Sequence, residues 1–301
     1  MVKSVVEGWV AAVDGVRIAY RDHGGSGRGL VLLHGGGANL ESMDQYAERL
    51  GGSRRTVAID VRCCGRSDDA PHFRLTDGAA DVAATVDALD LGPVDVVGHS
   101  MGGFVGGYYG TATPSARIVS IDGFGPGMVT LGSPADRAEF RAFQDGMRDS
   151  FFAMTSPPET GDAVWRDQQL ELLCELLPRI GYTAPNARVM AERNFVELAD
   201  GTFQRRPPRH LFADAFADDG EADILQMYRH TRAPTLIIRC TESGAPSVLD
   251  RELSALAAAN EAVRVLHLPL THLAPAWDAL DEVVAAIGPF LDGPIPPSDR
   301  S

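Results

Sequence analysis

The stretch Val94-Asp95-Val96-Val97-Gly98-His99-Ser100-Met101-Gly102-Gly103 decides the fold. Four residues of strand character run into a Gly-x-Ser-x-Gly turn, and a glycine-rich helical stretch follows. A serine on so tight a strand-to-helix turn is pushed clear of the sheet, and glycines on both sides leave room for a crowded backbone. The motif alone is weak and a plain glycine-rich turn is its bland alternative. The strand directly before it is what gives it weight.

On either side of this turn, short apolar runs alternate with helical patterns. Leu30–Leu33, Thr56–Asp60, Val94–Val97 and Arg117–Asp122 read as strands, with helices expected over Glu41–Leu50, Thr76–Leu91 and after Ser100. Continuous apolar strands separated by helices predict an α/β fold: a mostly parallel sheet with helices on both faces. Two strand-like runs, Val5–Val13 and Val16–Arg21, precede this part, and Asp14-Gly15 between them signals a hairpin. From Phe124 to Asp219 the alternation stops and helical patterns such as Glu171–Leu177 take over. The expected organisation is therefore a core made of residues 1–123 and 220–301, interrupted by a helical cap over 124–219. Alternation resumes with a strand at Pro234–Ile238, a helix over Val248–Ala259, a strand at Val263–Leu268 and a last helix from Ala276 to Leu291. The proline-rich tail from Gly293 ends that helix.

Composition narrows the functional classes. The 301 residues are 45% hydrophobic and 23% charged, with a net charge of −14. Such an anionic surface repels nucleic-acid phosphate and anionic lipid, so neither is an expected partner. No apolar run is long enough to span a membrane, and Glu7-Gly8 interrupts the N-terminus before a secretion signal could form. Cys63, Cys64, Cys174 and Cys240 show no C-x-x-C spacing, which points to reduced thiols in the cytoplasm and away from structural zinc. A small-molecule substrate is the expected partner. A homodimer is left open, because a dimer patch would look like ordinary surface.

The chemistry begins at Ser100. A nucleophilic serine needs a base, and His272, in Leu268-Pro-Leu-Thr-His-Leu-Ala-Pro275 just after the last strand, can deliver one. The other histidines compete less well. His99 adjoins the serine and points elsewhere, and His34 reads as a structural hydrogen-bonding residue. In His34-Gly35-Gly36-Gly37 the glycines leave backbone N–H groups free, so Gly36 and Gly37 with Met101 are the expected oxyanion donors.

These features resemble the α/β-hydrolase superfamily: the His-Gly loop at His34, the nucleophile elbow at Ser100, the late histidine at His272, and Asp60–Asp68, which is similar to the family's D-x-R-G-x-G-x-S loop with Cys63 in place of a glycine. The resemblance implies a cap inserted after the sixth strand, a Ser-His-acid triad and no metal or organic cofactor. It also exposes a departure. The family's acid usually follows the seventh strand, but there this chain reads Ile238-Arg-Cys-Thr-Glu-Ser-Gly244. Asp122, at the end of the sixth strand, is the preferred acid and Glu242 the alternative. The expected activity is hydrolysis of a carboxylic ester or lactone of a moderately sized apolar substrate through an acyl-enzyme. Hydrolysis of a carbon–carbon bond or thioester by the same groups is one alternative, and a non-catalytic small-molecule-binding relative is another. Arg193, Arg205 and Arg206 in the cap could bind a carboxylate, with solvated surface charge as the plainer reading.

Overall fold

The hairpin forms as expected. β1 (Val6–Ala11) and β2 (Arg17–Asp22) pair antiparallel, and the turn between them carries Gly15 at φ +87°. The computed structural model describes residues 5–125, 131, 133–154, 159–179, 181–183, 185–215 and 224–294.

The alternating part then lays down β3 (Gly29–Leu33), α1 (Asp44–Leu50), β4 (Arg55–Ile59), α2 (Leu75–Ala88), β5 (Val94–His99), α3 (Met101–Ala112) and β6 (Ile118–Ile121). After the insertion described below, α8 (Ile224–His230), β10 (Thr235–Cys240), α9 (Val248–Ala259), β11 (Val263–Leu268) and α10 (Leu280–Asp292) complete the core. The strands form one eight-stranded sheet in the order β1-β2-β4-β3-β5-β6-β10-β11. β2 meets β4 antiparallel, and every pair from β4 to β11 is parallel.

The apolar runs are continuous because both faces of the sheet are covered. Every residue of β3, β5, β6 and β10 is buried. On one face, Val82 and Val86 of α2 and Val105 and Tyr109 of α3 pack over Val31, Val57, Val96 and Ile118. On the other, Tyr46 and Leu50 of α1 and Val283, Ile287 and Leu291 of α10 pack over Leu32, Ala58, Val97 and Ile238. Each such aliphatic side chain withdrawn from water contributes about 1.5–3 kcal/mol. A 3-10 turn, Leu40–Met43, replaces the first turn of the helix expected from Glu41, and the Asn39 side chain accepts Glu41 N–H at its start.

Between β6 and β10 the chain leaves the sheet. The insertion holds α4 (Pro134–Met154), α5 (Ala163–Arg179), α6 (Ala187–Arg193) and α7 (Arg209–Ala215), followed by α8 (Ile224–His230), which packs back onto α3 and α9. It also holds an element not expected from the sequence. β7 (Thr160–Gly161), β8 (Phe195–Glu197) and β9 (Phe203–Arg205) form a small antiparallel sheet in the order β7-β9-β8. Strands of two or three residues, none of them fully buried, carry too little alternation to read as strands. Residues 126–130 and 216–219 of the expected cap, and the tail from residue 295, lie outside the described residues.

Candidate active site

Ser100 joins β5 to α3 at φ 51° and ψ −120°, a strained left-handed corner for a residue with a side chain. The two motif glycines explain how the corner fits. A Cβ on Gly98 would stand 2.2 Å from the Gly102 carbonyl oxygen, and one on Gly102 would stand 2.4 Å from the Leu33 carbonyl oxygen. Both obstacles are main chain, so neither position takes a side chain without moving a strand or helix. The corner is pinned to the neighbouring strand by Ser100 N–H donating to the Ile121 carbonyl at 2.8 Å.

His272 lies in the loop after β11. Its Nε2 stands 3.1 Å from Ser100 Oγ, and its Nδ1 stands 2.7 Å from Asp122 Oδ2. With the carboxylate accepting from Nδ1–H, Nε2 is the unprotonated nitrogen that faces the hydroxyl. Asp122 follows β6 in a left-handed conformation, φ 47°. Its position comes from the parallel pairing of β6 with β10: its N–H donates to Ile238 O at 2.7 Å, and its Oδ1 accepts Cys240 N–H at 3.0 Å. The buried Arg239 guanidinium lies 3.8 Å from the same Oδ1 and is itself held by Asp250 and Ser243. Each carboxylate oxygen thus carries one hydrogen bond, with a cation beside Oδ1.

The structure thus brings Ser100, His272 and Asp122 into one hydrogen-bonded row. It does not bring Glu242 to His272. Glu242 sits exposed in the turn after β10, its N–H donating to Leu270 O. The register of β6 against β10 places Asp122, and not that turn, behind the imidazole.

The backbone N–H of Met101 opens α3, and Gly36 and Gly37 occupy the turn after β3. None of these three N–H groups is committed to a hydrogen bond among the described residues. The arrangement can transfer a proton from Ser100 Oγ to His272 and offer N–H donors to an oxygen that gains charge on attack.

Two neighbours complete the site. His34 donates from Nδ1–H to Gly35 O at 2.8 Å and accepts Val61 N–H at 3.0 Å, a structural role as expected. His99 is a functional neighbour that sequence reasoning missed. It does turn away from Ser100, but its Nε2–H donates to the His272 carbonyl at 2.8 Å and its ring lies 4.9 Å from the His272 ring. Burial, with the nearby His272 charge, pushes its pKa down to about 4, so it is neutral and holds the His272 loop as a hydrogen-bond donor. Nothing in the sequence indicates which loop His99 would meet.

Cys63 takes the glycine-like φ of 66° in the loop that follows β4, as its place in the motif implies. Burial raises its thiol to about 12, so it is no nucleophile. Its sulfur gathers with Asp69 and His210, but Asp69 is taken up by Arg206 and Gln204, and His210 Nε2–H donates to Ala70 O. The arginines of the insertion are not solvated surface charge. Arg193 is buried on Asp60 and Glu7, Arg206 is buried beside Asp69, and Arg205 lies partly buried against Gln169, its pKa lowered to about 10 by desolvation. Of the aromatics in the insertion, Trp165 meets Phe195 edge-on, whereas Phe140 and Phe143 pack in one cluster with Ile237 of β10 and Leu253 of α9. Phe152, Leu211 and Phe212 instead reach the apolar cluster that contains Met101. No helix among the described residues is long and apolar enough to cross a membrane.

A family model described as "Alpha/beta hydrolase family" matches residues 30–286. N-formylmaleamate deformylase of Pseudomonas putida is 28% identical over 296 residues, covering 96% of this chain and 98% of that protein. Among solved structures, E-2-(acetamidomethylene)succinate hydrolase superposes with a TM-score of 0.76 at 21% identity, covering 96% of this chain and all of that one. An N-acyl homoserine lactone degrading enzyme superposes with a TM-score of 0.64 at 22% identity, covering 94% of this chain.

Proposed function

This chain belongs to the alpha/beta hydrolase family, and we propose that within it the chain is a serine hydrolase that cleaves an ester or lactone through an acyl-enzyme. The observation that carries the reading is the row of hydrogen bonds from Ser100 Oγ through His272 to Asp122, 3.1 and 2.7 Å long. Ser100 attacks the acyl carbon while His272 Nε2 takes its proton. Asp122 keeps the imidazole in the tautomer that can do so and stabilises the imidazolium that forms. The oxyanion is received by the N–H groups of Met101 and of Gly36 or Gly37, each donor contributing about 3 kcal/mol at the transition state. His272 then returns the proton to the leaving oxygen, and water repeats the sequence to release the acid. These steps use only groups of this chain. Phe152, Leu211 and Phe212, clustered with Met101 beside Ser100, support an apolar acyl portion.

A second reading concerns the leaving atom. The relative that matches this chain along its length is named for removing a formyl group from N-formylmaleamate, so attack on an acyl–nitrogen bond fits the same row of groups. Incubation with a fluorophosphonate probe and assay on p-nitrophenyl butyrate test the proposal. The native protein should label at Ser100 and turn over the ester, and Ser100→Ala should do neither. Normal turnover by Ser100→Ala would end the acyl-transfer reading. Parallel assay on N-formyl and N-acetyl amides decides between oxygen and nitrogen as leaving atom.

A further inference from the structure

The turn that offers Gly36 and Gly37 is held from the cap. Gly35 to Ala38 form a tight turn closed by Ala38 N–H donating to Gly35 O at 3.2 Å, with Gly37 at φ +82°. Glycine at both central positions lets the turn that carries the Gly36 and Gly37 N–H groups flex at little cost. An oxyanion donor must be aimed before the charge develops, so a turn this free needs outside support.

Asn194, the residue after α6, supplies it. Its Nδ2–H donates to the Gly37 carbonyl at 3.1 Å, across 157 residues of sequence. Its own orientation is dictated by Asn39, which is fully buried. Asn39 Oδ1 accepts Glu41 N–H, so its Nδ2 points at the cap, donating to Met190 O at 2.7 Å and to Asn194 Oδ1 at 2.8 Å. Asn194 Oδ1 is thereby used as an acceptor, and only its amide nitrogen is left for Gly37. The Asn194 backbone is tied in turn to the small cap sheet, where Arg206 N–H donates to its carbonyl at 2.6 Å. Asn186 Nδ2–H on Glu41 O, 2.8 Å, is a parallel tether.

We propose that Asn194 is a positioning residue: by holding the Gly37 carbonyl it anchors the C-terminal side of the oxyanion turn and so limits the freedom of the two glycines before it, and the docked cap thereby contributes to transition-state stabilisation as well as to substrate selection. This rests on the serine-hydrolase reading above. The test compares native protein with Asn194→Ala and with Asn194→Asp, which keeps the acceptor for Asn39 and lacks the donor for Gly37. The readouts are kcat and KM on p-nitrophenyl butyrate, and inhibition by a trifluoromethyl ketone, which binds as a tetrahedral oxyanion, against the matched methyl ketone, which does not. Both variants should lose 10- to 100-fold in kcat, keep KM within about twofold, and lose trifluoromethyl ketone affinity by the same factor while methyl ketone affinity holds. An unchanged kcat, or a raised KM with both ketones weakened alike, would overturn the proposal, since a cap that only shapes the pocket predicts that pattern. If Asn194→Ala does not fold, Asn194→Asp alone decides. A native protein that the fluorophosphonate leaves unlabelled would instead bring down the serine-hydrolase reading itself.

Discussion

Replacing Asp122 by Asn is the sharpest test of which carboxylate orients His272. The substitution keeps the shape and leaves Asn Oδ1 able to accept Cys240 N–H, now at 3.0 Å. The amide nitrogen is then the atom left at the 2.7 Å contact with His272 Nδ1. It can only donate there, so Nδ1 must accept and the ring proton moves to Nε2, the nitrogen 3.1 Å from Ser100 Oγ. A protonated Nε2 cannot take the serine proton, and the imidazolium that would otherwise form loses its counter-charge. Such a tautomer error costs on the order of 10⁴ in kcat, about 5.5 kcal/mol of barrier. Stopped-flow measurement of p-nitrophenol release should place the loss in acylation, with the circular dichroism spectrum unchanged. Glu242→Gln should stay within about twofold of native, since Glu242 lies in an exposed turn. An Asp122→Asn variant within tenfold of native, or an equal loss in Glu242→Gln, would refute the reasoning.

Stability should depend on pH through His99. Unfolded, it titrates near 6.5; folded, its pKa is lowered to about 4, so between these values the unfolded chain takes up the proton first. Its contribution is fully present above pH 6.5 and falls by about 3 kcal/mol as pH drops to 4. Urea unfolding across that range should give a slope about one proton shallower in His99→Gln, whose amide can still donate to His272 O; an identical slope would remove His99 from the account. Gly102→Ala places a Cβ 2.4 Å from Leu33 O and should cost about 3 kcal/mol or more, whereas Gly146→Ala in α4, with nothing within 4 Å, should be neutral or stabilising by up to about 1 kcal/mol. Thermal melts of the two would separate a required glycine from an incidental one.

The core was legible because burial on two faces writes unbroken apolar runs. Val248–Ala259 and Val263–Leu268 read with the boundaries they adopt, and the elbow announced itself through glycines whose absence of a side chain is sterically forced. The preference for Asp122 over Glu242 could be read, but not the contact that places it behind His272. That contact depends on which strand lies beside β6, and Asp122 meets Cys240 across 118 residues of sequence. The same limit hid His99 and Asn194, each of which acts on a loop more than 150 residues distant. Side chains that work through tertiary hydrogen bonds leave no period in the chain, and single asparagines or histidines are too common to stand out. The buried arginines of the cap were misread as solvated surface for a related reason: their partners Asp60, Glu7 and Asp69 all precede the insertion in the sequence.

Ser100 and Asp122 issue from adjacent strands, held by the parallel pairing of β5 with β6 and by the Ser100 N–H bond to Ile121 O. With Asp122 on His272, the proposed mechanism asks no side chain of the bend at residues 241–246. For protein engineering the bend is then a place to vary side chains, provided the main-chain bonds of Thr241 and Glu242 to Leu268 and Leu270, and the Ser243 and Ala245 anchors of Arg239, are kept.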